Sequence, residues 1–517
     1  MTLALVPHVA ADAARLNTWV GIAHADAVAD GDLAWKLDGA AATPKVLSPI
    51  KAWNIAGRKP LFTGFFEFDG LAPDTPHEVE LAVKGESIVR TLRTRLDAVP
   101  AGPQDRFNLL LLSCFHFAED KTGNAGRVLS QLPVRPHLTV LAGDQVYLDL
   151  PTLRDFKDES AWLEAKFQDD YINSWFGPRG ALSRREAPMG YPQVLALAPI
   201  APMPDDHEYW NNAPFVSPFV QNSWTEGGRN RWKAASELAY ASFQQSGAAQ
   251  FGGARTIDID PLSILLLDTR SQRDRGTGNS PDTSAMRKDP NDLLGPAGRD
   301  ALKQWADTLV QSAAGPAPRY GVLVTGQSLF VGPAGEVKGK VADFELPDYP
   351  TDYGFVVSQI ERVSAAGLPM LCLTGDVHWG RILRAASGVG RADVFEVISS
   401  PTSLVTSVGV DQVKQLLDKI KGIFTARDPW PRHPSPDQPP GRFGTTGAYT
   451  PEVLKVTEPA TLRGGPAAMR GNMAVMLRFQ RAGKALDVEA QYYPLHGDDR
   501  VNAAGQWTTS FQLKPVR

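Results

Sequence analysis

Across residues 17–96 apolar side chains recur in short alternating runs without long helical spacing, as in Thr63-Gly64-Phe65-Phe66-Glu67-Phe68 and His77-Glu78-Val79-Glu80-Leu81. Alternation with period two puts every second side chain on one face of an extended chain, so these runs predict strands with one buried face, and together a small β-sandwich. Pro100, Gly102 and Pro103 then break the pattern across 97–104, which predicts a boundary. Two units are expected: a β-sandwich over 1–98 and a larger domain over 105–517.

Beyond the boundary the pattern becomes strand, then helix, repeatedly. An unbroken apolar run predicts a buried strand over 107–112, helical spacing follows over 124–132, and a second strand runs 137–142. Further strands are expected over 263–267, 321–325 and 369–374, and closing strands over 473–493. Residues 153–176 carry Trp162, Phe167, Tyr171 and Trp175 at helical spacing, a stripe that reads as packing surface. Pro296 opens a helix with Leu302, Trp305 and Leu309 at i, i+3 and i+7 relative to Leu302. This alternation is the signature of an α/β fold. The Pro- and Gly-rich stretch 426–447 reads as a loop at the rim of a site.

Composition narrows the functional classes. A chain of 517 residues with 43% hydrophobic and 21% charged content has material for an enzyme-sized core, and a formal charge of -4 gives no long-range attraction for nucleic acid. The two cysteines, Cys114 and Cys372, are too few for a disulfide framework; each lies in an apolar run, and a single bridge between neighbouring strands is the alternative to two small buried thiols. No apolar run approaches the roughly 18 residues of a membrane helix. No signal peptide is visible at the start, so the chain as written is expected in the cytoplasm, or exported if a leader was removed.

Five apolar runs end in side chains able to bind metal or phosphate: Ser113-Cys114-Phe115-His116, Gly143-Asp144-Gln145-Val146-Tyr147, Asp205-Asp206-His207-Glu208, Asp268-Thr269-Arg270 and Gly375-Asp376-Val377-His378. Carboxylates, imidazoles, a thiol and a phenol gathered at one sheet edge suit a metal centre. No Gly-x-Ser-x-Gly elbow supports a serine hydrolase. The five segments, with Asn211-Asn212 after the third and Leu267 before the fourth, occur in the order found in the PhoD-type alkaline phosphatases and phosphodiesterases of the calcineurin-like metallophosphatase superfamily, which the chain resembles from about 107 to 400. The turn Gly70-Leu71-Ala72-Pro73-Asp74-Thr75 is similar to the corner of fibronectin type III sandwiches, with His77 where those domains usually carry Tyr.

The resemblance implies a calcineurin-like αββα sandwich core preceded by a fibronectin III or immunoglobulin-like β-sandwich. It implies a phosphoesterase acting on small-molecule phosphate monoesters or diesters by attack of a metal-bound hydroxide. Asp144 would bridge two ions; Cys114, Tyr147 and His378 would hold the one the family fills with Fe3+, and Asp206 and Asp376 the one it fills with Ca2+, other divalent metals remaining possible. His207 would protonate the leaving alkoxide or stabilise phosphoryl oxygens, and Asn212 and Arg270 would bind phosphate, each with a local alternative: a turn cap for Asn212, an ion pair with Asp274 for Arg270. His116 stands as a ligand or a pocket wall, Asp149 as a ligand or a support, and Glu208 as a prop for the His207 loop. Two alternatives remain at this stage: a phosphodiesterase selective for nucleotides or phospholipid head groups, and a binding protein with a structural metal site. Oligomeric state is left open.

Overall fold

The computed structural model describes residues 1–23, 26–53, 60–102, 104–120, 122–150, 159–177, 190–217, 220–245, 253–273, 293–332, 343–399, 401–403, 443, 448–454, 456, 471–495 and 507–516. All nine residues of the strand Phe107–Phe115 are buried. It carries the expected 107–112 run three residues further, so that Cys114 belongs to the strand end. Its alternate side chains divide between two cores: Leu109 and Leu111 pack with a second sheet, while Leu110 and Leu112 pack under helices. A strand covered on both faces needs an uninterrupted apolar run, and Phe107-Asn108-Leu109-Leu110-Leu111-Leu112 nearly supplies it.

This strand lies inside a sheet of eleven strands among the described residues. On one side it pairs in parallel with Leu138–Ala142, which pairs in parallel with Ile200–Met203; on the other it meets the antiparallel hairpin Met473–Ala482 and Ala485–Pro494. The second sheet has seven described strands, with Leu262–Leu267, Tyr320–Thr325, Met370–Thr374 and Val394–Ile398 mutually parallel. The helices Gly295–Ser312 and Pro350–Ala365 make crossovers on its outer side. Ser160–Trp175, Tyr191–Leu195 and Glu226–Phe243 cover the first sheet. Phe167, Tyr171 and Trp175 are fully buried there, the packing role their spacing predicts. Burial of each contributes on the order of 2–3 kcal/mol. Residues 153–158 of the expected helix lie outside the described residues, as does all of the 426–447 loop except Phe443.

Parallel strands share a carboxyl end, so the two sheets each present a ligand-bearing edge, and these edges abut. A Cβ at Gly375 would lie 2.2 Å from Ala142 O and 2.7 Å from Ser113 Cβ; only glycine permits that approach.

The N-terminal segment builds the rest of the first sheet. Strand Thr2–His8 pairs in parallel with Ile200–Met203 through His8 and Ile200, then antiparallel with Leu16–Ala23, Leu61–Phe68 and Lys45–Trp53 in turn. A third sheet of Ala40–Ala42, Leu33–Leu37, Pro76–Val83 and Glu86–Arg93 packs onto it through Trp35, Val79 and Leu81 against Val20, Phe62 and Phe66. The expected boundary is tied down: Asp260 N donates to Asp97 O and Val99 N to Asp260 O. One sheet therefore runs from the N-terminal strands into the strands that carry the candidate ligands. Both cysteines are buried free thiols, on strands of different sheets.

Candidate metal centre

Four of the six candidate ligands, Cys114, Asp144, Asp376 and His378, have uncommon backbone at or just past a strand end. Among the described residues eight that are not glycine have positive φ, and five of them are here: Cys114, Asp144, Asn212, Asp376 and His378 at 53°, 58°, 65°, 62° and 58°. The left-handed region disfavours L side chains, and such strain concentrates where structure is held for chemistry. Backbone hydrogen bonds from Cys114 N to Gly143 O and from Phe115 N to Asp144 O lock the first two ligand turns together.

The side chains converge. Donor atoms of Cys114, Asp144 and His378 lie within 4.8 Å of one another, and so do those of Asp144, Asp206 and His207. Asp144 belongs to both groups. Its Oδ2 is 3.6 Å from Cys114 Sγ, whereas its Oδ1 accepts from His207 N at 3.2 Å. The phenol of Tyr147 packs with Cys114, its ring 4.1 Å from that of His207. Asp376 belongs to neither group; its Oδ2 accepts from Gln327 Nε2 at 3.2 Å.

The donors fit a metal. Tyr147 Oη, Asp206 Oδ1 and His378 Nε2 are buried without a hydrogen-bond partner among the described residues, an arrangement that costs free energy unless something else satisfies them. Charge argues likewise. Burial, then Asp206, holds Asp144 well above the carboxylate range, and burial, then Asp205 and Asp206, does the same to Asp376. Burial, then Asp144, raises the Cys114 thiol, and burial, then Cys114, raises the Tyr147 phenol. Burial, then His207, pushes His378 down to about 4, leaving a neutral imidazole suited to coordination. Crowded acids that resist ionising alone become anionic ligands beside a multivalent cation.

His207 is held from behind. Its Nδ1 lies 2.7 Å from Asp149 Oδ1, and Asp149 Oδ2 accepts from Asn211 N. Burial opposes charge on both, yet Asp149, then Asp206, keeps the imidazolium well above its ordinary range, and His207 with the Asn211 amide keeps Asp149 below its own. Glu208 buttresses the loops, accepting from Asp144 N, Gln145 N and Asp205 N at 2.9, 2.7 and 2.8 Å. Asn212 N donates to Asp206 Oδ2 at 2.7 Å. His116 lies edge-on to Tyr147 and, with it, lines a cavity of about 220 Å³ together with Phe115, Phe117, Leu150 and Asp170.

Arg270 lies apart from this gathering. Its side chain is fully buried and forks onto Asp205 Oδ1 and Asp343 Oδ2, both at 2.6 Å, with Ala213 O as third acceptor. Asp274, the partner considered from sequence, is outside the described residues. Gln327 and Asp343 escaped the sequence reading because neither sits in a motif; Thr325-Gly326-Gln327, a strand end like the other five, was the available signal.

A mixed α/β fold whose abutting strand ends gather thiol, phenol, carboxylates and imidazoles around one shared aspartate defines a metal-dependent phosphoesterase. The chain belongs to the PhoD-like phosphatase family, whose model matches residues 109–419 and so spans every candidate ligand. A solved structure titled "Structure of PhoD" is similar with a TM-score of 0.55 at 13% identity, over 98% of this chain and 91% of that one. No curated protein matches in sequence. Among the described residues no helix is long and apolar enough to cross a membrane.

Proposed function

We propose that the centre binds two ions sharing Asp144, and that the enzyme hydrolyses small-molecule phosphate esters by in-line displacement. The observation that carries this reading is the membership of Asp144 in both donor groups. Cys114, Tyr147 and His378 would hold a ferric ion, since thiolate and phenolate are anionic donors stabilised by high charge; Asp206 and Asp376 would hold Ca2+ through oxygen. When bound, such ions lower the pKa of water and neutralise charge on the phosphoryl group.

The protein groups do the remainder. Asp149, an ionised carboxylate, accepts the Nδ1 proton of His207, which fixes the ring and leaves Nε2 to carry a proton to the leaving oxygen. Asn212, set beside Asp206 by its backbone N–H, would bind a phosphoryl oxygen through its side-chain amide. Arg270 acts on phosphate only if it leaves Asp205 and Asp343, so its assignment as a phosphate ligand is the weaker of the two. The layers are read as a calcineurin-like αββα sandwich over 105–517 behind a fibronectin III or immunoglobulin-like sandwich over 1–98.

Elemental analysis with a visible spectrum tests the reading. Wild type should contain two ions and show a phenolate or thiolate charge-transfer band; Asp144→Ala should lose both ions and at least about 1,000-fold in kcat, on the scale of a lost transition-state electrostatic group. A colourless wild type holding only zinc refutes the ferric assignment, and an active Asp144→Ala refutes the mechanism.

The cavity beside Tyr147 favours esters with an organic group. Among the described residues Phe115, Phe117, Val146 and Leu150 line it with no lysine or arginine, and the carboxylate among them, Asp170, is paired with Lys166 at 2.6 Å. Bis-nitrophenyl phosphate should therefore be turned over as well as nitrophenyl phosphate, and Leu150→Trp, which fills the cavity, should depress the diester selectively. Equal loss on both substrates would remove the cavity from the account.

A further inference from the structure

The two candidate oxygen ligands of the second ion come from different sheets. Asp206 follows Ile200–Met203 in the first, and Asp376 follows Met370–Thr374 in the second. A site split across two sheets holds its geometry only if something joins the ends, and a buried polar chain does so. Gln327, fully buried after Tyr320–Thr325, donates from Nε2 to Asp376 Oδ2 at 3.2 Å, Asp343 Oδ2 at 2.6 Å and Phe344 O at 3.1 Å. Its Oε1 accepts from Arg273 Nη2 at 2.7 Å, which fixes the amide's orientation. Asp343 passes the link to Arg270, and Arg270 to Asp205, the residue before Asp206.

Charge makes the arrangement purposeful. A lysine or arginine against Asp376 would compete with a metal for the carboxylate. Gln327 is neutral, so it orients the carboxylate and leaves its charge for an ion. The two amide hydrogens serve three acceptors, so the contact to Asp376 can lengthen on metal binding without stranding the amide. The Arg270 charge is taken up by Asp205 and Asp343 at 2.6 Å each.

We propose that Gln327 is a positioning residue for the second ion: it sets Asp376 directly and, through Asp343 and Arg270, holds the Asp205-Asp206 turn in register with it. Loss of Gln327 then weakens the oxygen site formed by Asp144, Asp206 and Asp376 and spares the site of Cys114, Tyr147 and His378. The inference rests on the two-ion reading above.

The test is Ca2+ titration of full-length protein stripped of Ca2+ by EGTA, comparing wild type with Gln327→Met and, as a control at the next position, Ser328→Ala. Gln327→Met keeps an unbranched side chain of similar size and removes the amide. Ser328 is equally buried but bonds Glu396, away from the ligands. Titration with Ca2+ alone should show the second-site Kd raised about 10- to 100-fold in Gln327→Met, with the charge-transfer band and first-ion content unchanged. Added Ca2+ should then restore kcat, and Ser328→Ala should titrate like wild type. Gln327→Asn, with its amide set back by one carbon, should fall between and carries the test alone if the Met variant does not fold. Unchanged Ca2+ affinity, equal weakening of both ions, or the same loss in Ser328→Ala overturns the assignment. A wild type that takes up fewer than two ions overturns instead the two-ion reading beneath it.

Discussion

At the scale of single residues, the candidate ligands are backed by buried groups that aim them. Asp149 is the clearest case: it is buried, ionised, and bonded to His207 Nδ1 and Asn211 N. Asp149→Asn should lower kcat by about 100-fold on esters of alkyl alcohols, whose alkoxides need a proton, and far less on nitrophenyl esters, whose leaving groups do not. Metal content should stay the same. A uniform fall across a series of leaving-group pKa values would remove His207 from proton transfer. Sequence showed the acid, not its partner: Asp149 and His207 are 58 positions apart, and only the turn after Met203 brings them together. His116, read as a ligand or a pocket wall, lies edge-on to Tyr147 and lines the cavity beside it.

Elements were legible where apolar patterning is dense. The strands over 263–267, 321–325 and 369–374 appear within a residue or so of expectation, since a buried strand demands continuous apolar residues whatever its neighbours. The link between the N-terminal strands and the catalytic sheet was not legible, because it is a pairing of backbone groups, His8 with Ile200, that leaves no side-chain pattern. His8 marks that joint. It is buried edge-on to Phe65, and burial, then Arg255, lowers its pKa from 6.5 to about 3. The unfolded chain therefore binds the proton first as pH falls. Stability from this group is full above about pH 6.5 and declines towards pH 3, by up to about 1.4 kcal/mol per unit. His8→Leu should flatten that part of the profile in urea melts at successive pH values; an unchanged slope would assign the acid sensitivity elsewhere.

At the scale of the molecule, the N-terminal segment is part of the scaffold. It completes the sheet beyond Ile200–Met203, the strand leading to Asp206, and Arg95 bonds Ala10 O, Ala11 O and Asp258 O across the junction. Deleting residues 1–98 should expose a strand edge and leave a catalytic segment that is insoluble or has lost its second ion, read by soluble yield and Ca2+ content. A soluble, fully loaded truncation would show instead that the sandwich is an independent appendage. The sequence alone determined the α/β alternation, the order of the five ligand-bearing segments and the chemistry of their donors, because burial and ligation both constrain residue type locally. Tertiary structure alone decided that Asp144 is common to two donor groups, that Arg270 turns inward to Asp205 and Asp343, and that Gln327 spans the sheets. Those are relations between strand ends far apart in the chain, set by how two sheets close on each other, and residue type at one position carries no record of the distance to another.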